Sequence, residues 1–194
     1  MTVQNNYSPA FLAEAIWPRP SLSRDIALVV GGSLLLALAA QIEIPLYPVP
    51  ITGQTFGVLL IGALLGSRRG ALAILTYLGW GALGLPVFSG GAGGLAPLVG
   101  PTAGYLAGFV PAAFLVGWLC ERGWDRSLWL AAVAMLLGNL VIYTCGVYWL
   151  AGLVGWDLVF TLGVYPFIFG DVLKIALAAC ALPIGWKWVN QSTD

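Results

Sequence analysis

The sequence predicts an all-α integral membrane protein, a bundle of six transmembrane helices with both termini on the cytoplasmic side. Three observations carry that expectation. Of the 194 residues, 60% are hydrophobic and only 8% are charged, and the mean hydropathy is +0.92, a composition foreign to ordinary water-soluble domains. Residues 26–42, 70–120 and 127–156 are free of charge, and a helix needs roughly 17–25 apolar residues to cross a bilayer core. These runs are continuous rather than alternating, which favours helices over a membrane barrel.

Taken in order, residues 1–25 read as a cytoplasmic or interfacial leader. Their positive charges come late and no small-residue cleavage site follows the first apolar run, so they do not resemble a secretory signal. Ser8 and Pro9 before AFLAEAIW suggest either a short capped helix with aromatic anchors at the inner interface or a frayed tail. Breakers at Pro45, Pro48, Pro50, Pro86, Pro97, Pro101 and Pro166 then delimit helices at 26–42, 54–67, 69–85, 103–121, 128–150 and 166–188. The membrane domain is thus 26–188, followed by a short cytoplasmic tail at 189–194.

Basic residues orient the bundle. Arg19, Arg24, Arg68, Arg69, Arg122, Arg126 and Lys187 fall at the two ends of the chain or in the loops after the second and fourth helices, while the other three loops hold no Lys or Arg. The positive-inside rule places the first group in the cytoplasm. Arg68 and Arg69 need no role beyond inside anchors. The small-residue pairs Ala27/Gly31, Ser33/Ala37, Gly62/Gly66 and Gly104/Gly108 permit close helix packing, and in the first helix they equally suit a face for another subunit.

Several functions are excluded by composition. Histidine is absent, and Cys120, Cys145 and Cys180 lack metal-ligand spacing, so metal and histidine chemistry are not expected and the thiols read as small apolar residues. The glycine-rich stretch SGGAGGLAPLVGPTAGY lacks the Gly-Lys-Ser/Thr of a nucleotide loop, so the chain does not hydrolyse ATP by itself. Zero net charge points away from nucleic acid. No nucleophile has a base beside it, which argues against an intramembrane enzyme.

Two outer loops stand out. EIPLYPVPITGQT and PVFSGGAGGLAPLVGP combine Pro and Gly with large apolar residues, where flexible linkers are usually polar. They are expected to fold back as lids, or else to be tight turns near the headgroups.

Beneath them lies FGDVLKIAL. At 1.5 Å per residue, Asp171 falls roughly 8 Å and Lys174 roughly 12 Å below the start of the last helix. Spaced i, i+3, the two share a face with Phe167 and Ala178 that must point into the bundle, since lipid exposure would cost several kcal/mol. The residues leave two readings open: a structural ion pair, or a site for a compact solute offering both N–H and C=O groups on an apolar frame, such as a cyclic urea. Tyr143, about mid-membrane, suits the same site or its apolar wall. Asn139, four residues deeper, equally suits a helix–helix hydrogen bond. Thr76, Tyr77 and Thr144 are further polar groups within helices.

The segment Pro48–Phe109, together with YPFIFGDVLKIALA, resembles the BioY family of biotin-uptake proteins, and the match runs in order and spacing from about Arg24 to Ala178. The resemblance implies a six-helix bundle that acts as the substrate-binding component of an energy-coupling factor transporter. It implies biotin as transported ligand rather than any cofactor, and partners in a transmembrane coupling subunit and paired ATPases. A homo-oligomer is left open, and the location implied is the prokaryotic-type inner, or plasma, membrane. Residue by residue, it assigns Gly170, Asp171 and Lys174 to the ureido ring of biotin, and Pro50, Thr52, Gln54 and Thr55 to the first lid. It assigns Phe88, Gly90, Gly91, Gly100, Pro101, Thr102, Gly104 and Tyr105 to the second. The main alternative is a stand-alone small-solute carrier or channel working without a coupling ATPase.

Overall fold

The structure, a computed structural model, describes residues 11–191. Its elements in chain order are α1 (Leu12–Ile16), α2 (Leu22–Ala40), β1 (Glu43–Ile44), β2 (Ile51–Thr52), α3 (Gln54–Ala82), α4 (Ala96–Val99), α5 (Ala103–Cys120), α6 (Leu128–Val154), α7 (Trp156–Gly163) and α8 (Ile168–Gln191). Among the described residues five helical stretches are long and apolar enough to cross a membrane: α2, α3, α5, α6 and the run Trp156–Val189.

The helix predicted at 26–42 begins at Leu22, because Ser21 caps it: its hydroxyl accepts the Arg24 N–H at 3.2 Å. Arg24, expected in a solvated end, is therefore inside α2 and fully buried, with Nη1 donating to the Trp17 carbonyl at 2.7 Å. The leader helix exists as α1, while Ser8 and Pro9 lie outside the described residues. Phe11 and Leu12 are buried, and the Arg69 guanidinium lies 5.3 Å from the Phe11 ring centroid. From Phe11 onward the leader thus packs on the bundle.

The helices expected at 54–67 and 69–85 follow one another without a loop as α3, broken at Gly66, whose φ of 80° and ψ of 176° are not helical. Residues 54–65 and 67–82 fold back on one another there. A Cβ on Gly70 would lie 2.9 Å from the Gly62 Cα, and Gln54 reaches Tyr77 across 23 positions of sequence. In a straight helix those pairs would stand roughly 12 and 35 Å apart at 1.5 Å per residue. The reversal is fixed from α5, where Glu121 Oε1 accepts the Ser67 N–H at 2.7 Å and its hydroxyl at 2.9 Å, satisfying the start of the second half. Gly66 is accordingly a turn as well as a point of close approach, since a Cβ on Gly117 of α5 would lie 2.4 Å from the Gly66 carbonyl carbon. Gly62 also packs closely, with a Cβ there falling 2.5 Å from the Ala113 carbonyl oxygen.

Polar stitching gathers the basic segments at one end of the molecule. Asp25 of α2 forms an ion pair with Arg69, whose Nε lies 2.9 Å from Oδ1 and whose Nη2 donates to Oδ2 at 3.3 Å. Asp125, buried in the turn Trp124–Arg126, accepts the Trp186 indole N–H at 2.5 Å, and Arg126 stacks on that indole at 4.5 Å. Burial pushes the Asp125 carboxyl above its ordinary range, and the Trp186 hydrogen bond opposes the shift.

The opposite end carries two roofs. After α2, β1 and β2 pair antiparallel with Glu43 opposite Thr52 and Ile44 opposite Ile51, a small ribbon within the segment expected to fold back as a lid. The Gly53 N–H donates to the Ile42 carbonyl at 2.8 Å, and a Cβ there would meet the Ala39 oxygen at 2.6 Å, so the ribbon closes tightly on α2. The second roof, residues 83–102, holds a 3-10 turn at Ser89–Gly91 and the short α4. Its Gly90 and Gly91 take φ of 67° and 69°, conformations that side chains disfavour. The crossing of α5 and α6 is equally close: a Cβ on Gly104 would lie 2.3 Å from Trp149 Cβ, and one on Gly108 3.0 Å from Cys145 Cβ. Helix α7 was not foreseen. Cys120 is buried and Cys145 lies at this crossing, as small apolar residues would, whereas Cys180 is exposed.

Gly66→Ala is expected to destabilise the protein by about 1–3 kcal/mol, since a backbone region open essentially to Gly alone is forced on a residue with a Cβ, which would also meet Glu121 Oε1 at 2.7 Å. Gly31→Ala, with nothing within 4 Å of the new carbon, should leave the melting temperature in detergent unchanged or slightly raised.

Candidate functional site

Between the two roofs and the tops of α3, α5, α6 and α8 lies a cavity of about 270 Å³. Its roof comes from residues 48–52 and from Phe88, Ser89, Ala92, Ala96 and Pro97. Its walls are Leu106, Phe109, Ile142 and Phe167, and its charge is Asp171 with Lys174. Concave, mostly apolar sites with a few converging polar groups are what small-molecule ligands require.

The charged pair is held by a closed network. Lys174 Nζ lies 3.0 Å from Asp171 Oδ1 and donates also to the Thr52 carbonyl at 2.9 Å and the Thr55 hydroxyl at 2.8 Å. Those three bonds use every N–H of the ammonium. Asp171 Oδ1 also accepts from Thr55 at 3.3 Å, while Oδ2 accepts from Asn139 Nδ2 at 3.0 Å and from the Tyr143 hydroxyl. The carboxylate thus has four donors for about four lone-pair positions. The Asp171 side chain is 6% exposed and that of Lys174 19%, so the ammonium is the more accessible partner.

Of the residues singled out from sequence, Asp171, Lys174, Tyr143, Gln54, Thr52, Phe88, Thr102, Tyr105 and Phe167 all line the cavity, as do Pro50, Thr55, Gly100 and Pro101. Gly91 does not; its N–H donates to the Phe88 carbonyl at 3.2 Å, shaping the turn that presents Phe88. Gly170 and Gly104 are also off the wall, the latter serving the α5–α6 crossing. Thr102 and Tyr105 present carbon rather than oxygen, since their hydroxyls donate to the Pro97 carbonyl at 3.1 Å and the Gly163 carbonyl at 2.8 Å. Asn139 makes an interhelical bond, but to Asp171 itself, with its Oδ1 buried and unpartnered.

Sequence reasoning missed Leu106, Phe109 and Ile142, which carry no signal apart from apolarity. It also missed Gln41, whose Nε2 donates to the Phe88 carbonyl at 3.1 Å and ties the end of α2 to the second roof. Trp149 anchors that roof to α6 through Nε1 on the Gly100 carbonyl at 2.9 Å. Among the described residues no cluster of His, Cys, Asp or Glu is arranged to hold a metal ion.

Comparison with known proteins gives the family. The sequence profile of the BioY family matches residues 8–191. The chain belongs to the BioY family. A "Probable biotin transporter BioY" of Pyrococcus horikoshii is 44% identical over 156 residues, covering 80% of this chain and 92% of the relative. A "Biotin transporter BioY" of Rhizobium etli is 42% identical over 170 residues, covering 81% and 90%. In three dimensions the fold is similar to a crystal structure of the S-component for biotin from an ECF-type ABC transporter, with a TM-score of 0.75 and 26% identity over 87% of this chain and 95% of that one.

Proposed function

We propose that this chain is a membrane biotin-binding and uptake protein, the substrate-specific component of an energy-coupling factor transporter, and not an enzyme. The observation that carries the reading is the Asp171–Lys174 pair, 3.0 Å apart on the wall of an otherwise apolar cavity beneath two roofs. A ureido ring offers N–H to the carboxylate and C=O to the ammonium, and its fused sulfur ring suits Phe109, Ile142 and Phe167. Because both ions are saturated by protein groups, the ligand binds by exchange. The longest bond to the carboxylate, Thr55 at 3.3 Å, is the one that a ligand N–H most readily replaces.

The same reading takes the halves of α3 as separate crossings, giving six, with both termini and the basic end in the cytoplasm of a plasma membrane. Support comes from the fold-back at Gly66 and from the contacts that join Arg69, Asp25, Glu121 and Trp186 at one end. The cavity then opens outward, and energy is supplied by a coupling subunit and paired ATPases acting on this chain.

Purified protein is expected to bind biotin in an equilibrium titration, and Asp171→Asn to weaken it by about ten- to a hundred-fold or more, the worth of one hydrogen bond to a charged group. Unchanged affinity in that variant would remove Asp171 from the site. For topology, in a background with the native thiols replaced, cysteines at the exposed Leu95 and Asp157 should react with an impermeant thiol reagent added outside intact cells, and one at the exposed Arg122 should not. Labelling at 122 alone would invert the orientation.

A further inference from the structure

Tyr77 is fully buried and lies behind the cavity wall rather than on it. Its hydroxyl accepts from Gln54 Nε2 at 2.7 Å. The other end of that amide, Oε1, accepts from the Thr52 hydroxyl at 2.9 Å, and the Thr52 carbonyl in turn accepts from Lys174. The first roof therefore hangs on the charged pair at one side and on Tyr77 at the other.

The same ring holds the second roof. Phe88 meets Tyr77 at right angles, with centroids 5.4 Å apart and planes at 89°. Phe88 is 2% exposed and fills the space over Gly81, where a Cβ would lie 2.0 Å from the ring, so the ring cannot sit there beside any larger residue. Its carbonyl is the group that Gln41 holds. One side chain thus touches the anchor of each roof, and a phenol is required for it: the hydroxyl serves Gln54 and the ring serves Phe88.

We propose that Tyr77 is a positioning residue that latches the two roofs to each other, so that they open and close as one and set the lifetime of the bound ligand. Displacing the first roof pulls Gln54 off the hydroxyl, and displacing the second strips the aromatic contact from the same ring. The statement about ligand lifetime rests on the biotin reading; the coupling of the roofs does not.

Two measurements on the full-length protein in nanodiscs test it. Release of radiolabelled biotin is expected to be roughly three- to tenfold faster from Tyr77→Phe, the loss of one neutral hydrogen bond, with association little changed. Gln54→Leu, which removes the donor of the same bond, should match it, and the double variant should release no faster than either single one. Rates that multiply in the double variant, or parent-like release from Tyr77→Phe, overturn the latch. Hydrogen–deuterium exchange reads the coupling without ligand. Gln54→Leu, which removes the first roof's bond to Tyr77 and, with no ligand present, disturbs no ligand contact, should speed exchange across residues 85–92 of the second roof by a similar factor, and unchanged exchange there overturns the proposal. A parent that binds no biotin but shows this exchange response would discard the ligand assignment and keep the latch.

Discussion

An ammonium and a carboxylate 3.0 Å apart within an apolar bundle are the constraint around which the rest of this protein is arranged. Desolvation costs several kcal/mol per ion, and the mutual attraction offsets it only when the remaining N–H groups and lone pairs are met. Meeting them recruits Thr52 from β2, Thr55 from the start of α3, Asn139 and Tyr143 from α6, and the pair itself from α8. Hydrogen bonds to charged groups are worth about 1.5–3 kcal/mol each, so the network fixes where these helices cross and holds the first roof over the cavity. A pair serving stability alone would be a poor solution, because well-packed apolar residues of similar volume are often as stable or more so. That comparison is what turns the network toward ligand binding.

The two ends of the bundle use polar groups differently. At the basic end, Asp25, Arg69, Glu121, Asp125 and Trp186 join the leader, the α3 reversal and the last helix. At the roofed end, backbone and side-chain bonds suspend the loops instead: Gln41 on Phe88, Trp149 on Gly100, Thr102 on Pro97. Rigid stitching at one end leaves opening and closing to the other. A fold that must admit a solute and then confine it needs that asymmetry.

Much of this was legible in the sequence because charge is so scarce. In a chain with 8% charged residues, Asp171 and Lys174 stand out against their surroundings, and the apolar character of the two Pro- and Gly-containing loops marked them as roofs. Proline and charge positions placed the long helices within a few residues. What could not be read depends on partners far along the chain. The backbone at Gly66 is defined by Glu121, 54 positions from Ser67, and Gln41 by Phe88, 47 positions away. Phe109 and Ile142 have the same apolar signature whether they line a cavity or fill a core. Tyr77 looked like one more polar group in a helix, since its meaning lies in Gln54 and Phe88 together. Gly91 and Gly170 erred the other way: a motif marks the place of a site, but a glycine within it often shapes the backbone and touches nothing in the cavity.

Equilibrium biotin binding by a purified Asp171→Leu, Lys174→Met double variant tests the central claim most directly, because it removes both ions together and leaves neither stranded. The variant is predicted to insert and fold, with a melting temperature no higher than that of the parent because Asn139, Tyr143 and Thr55 lose their partners, while binding no biotin. Parent-like affinity in a folded double variant would contradict the account, since the pair would then be a structural ion pair and the ligand would be held elsewhere.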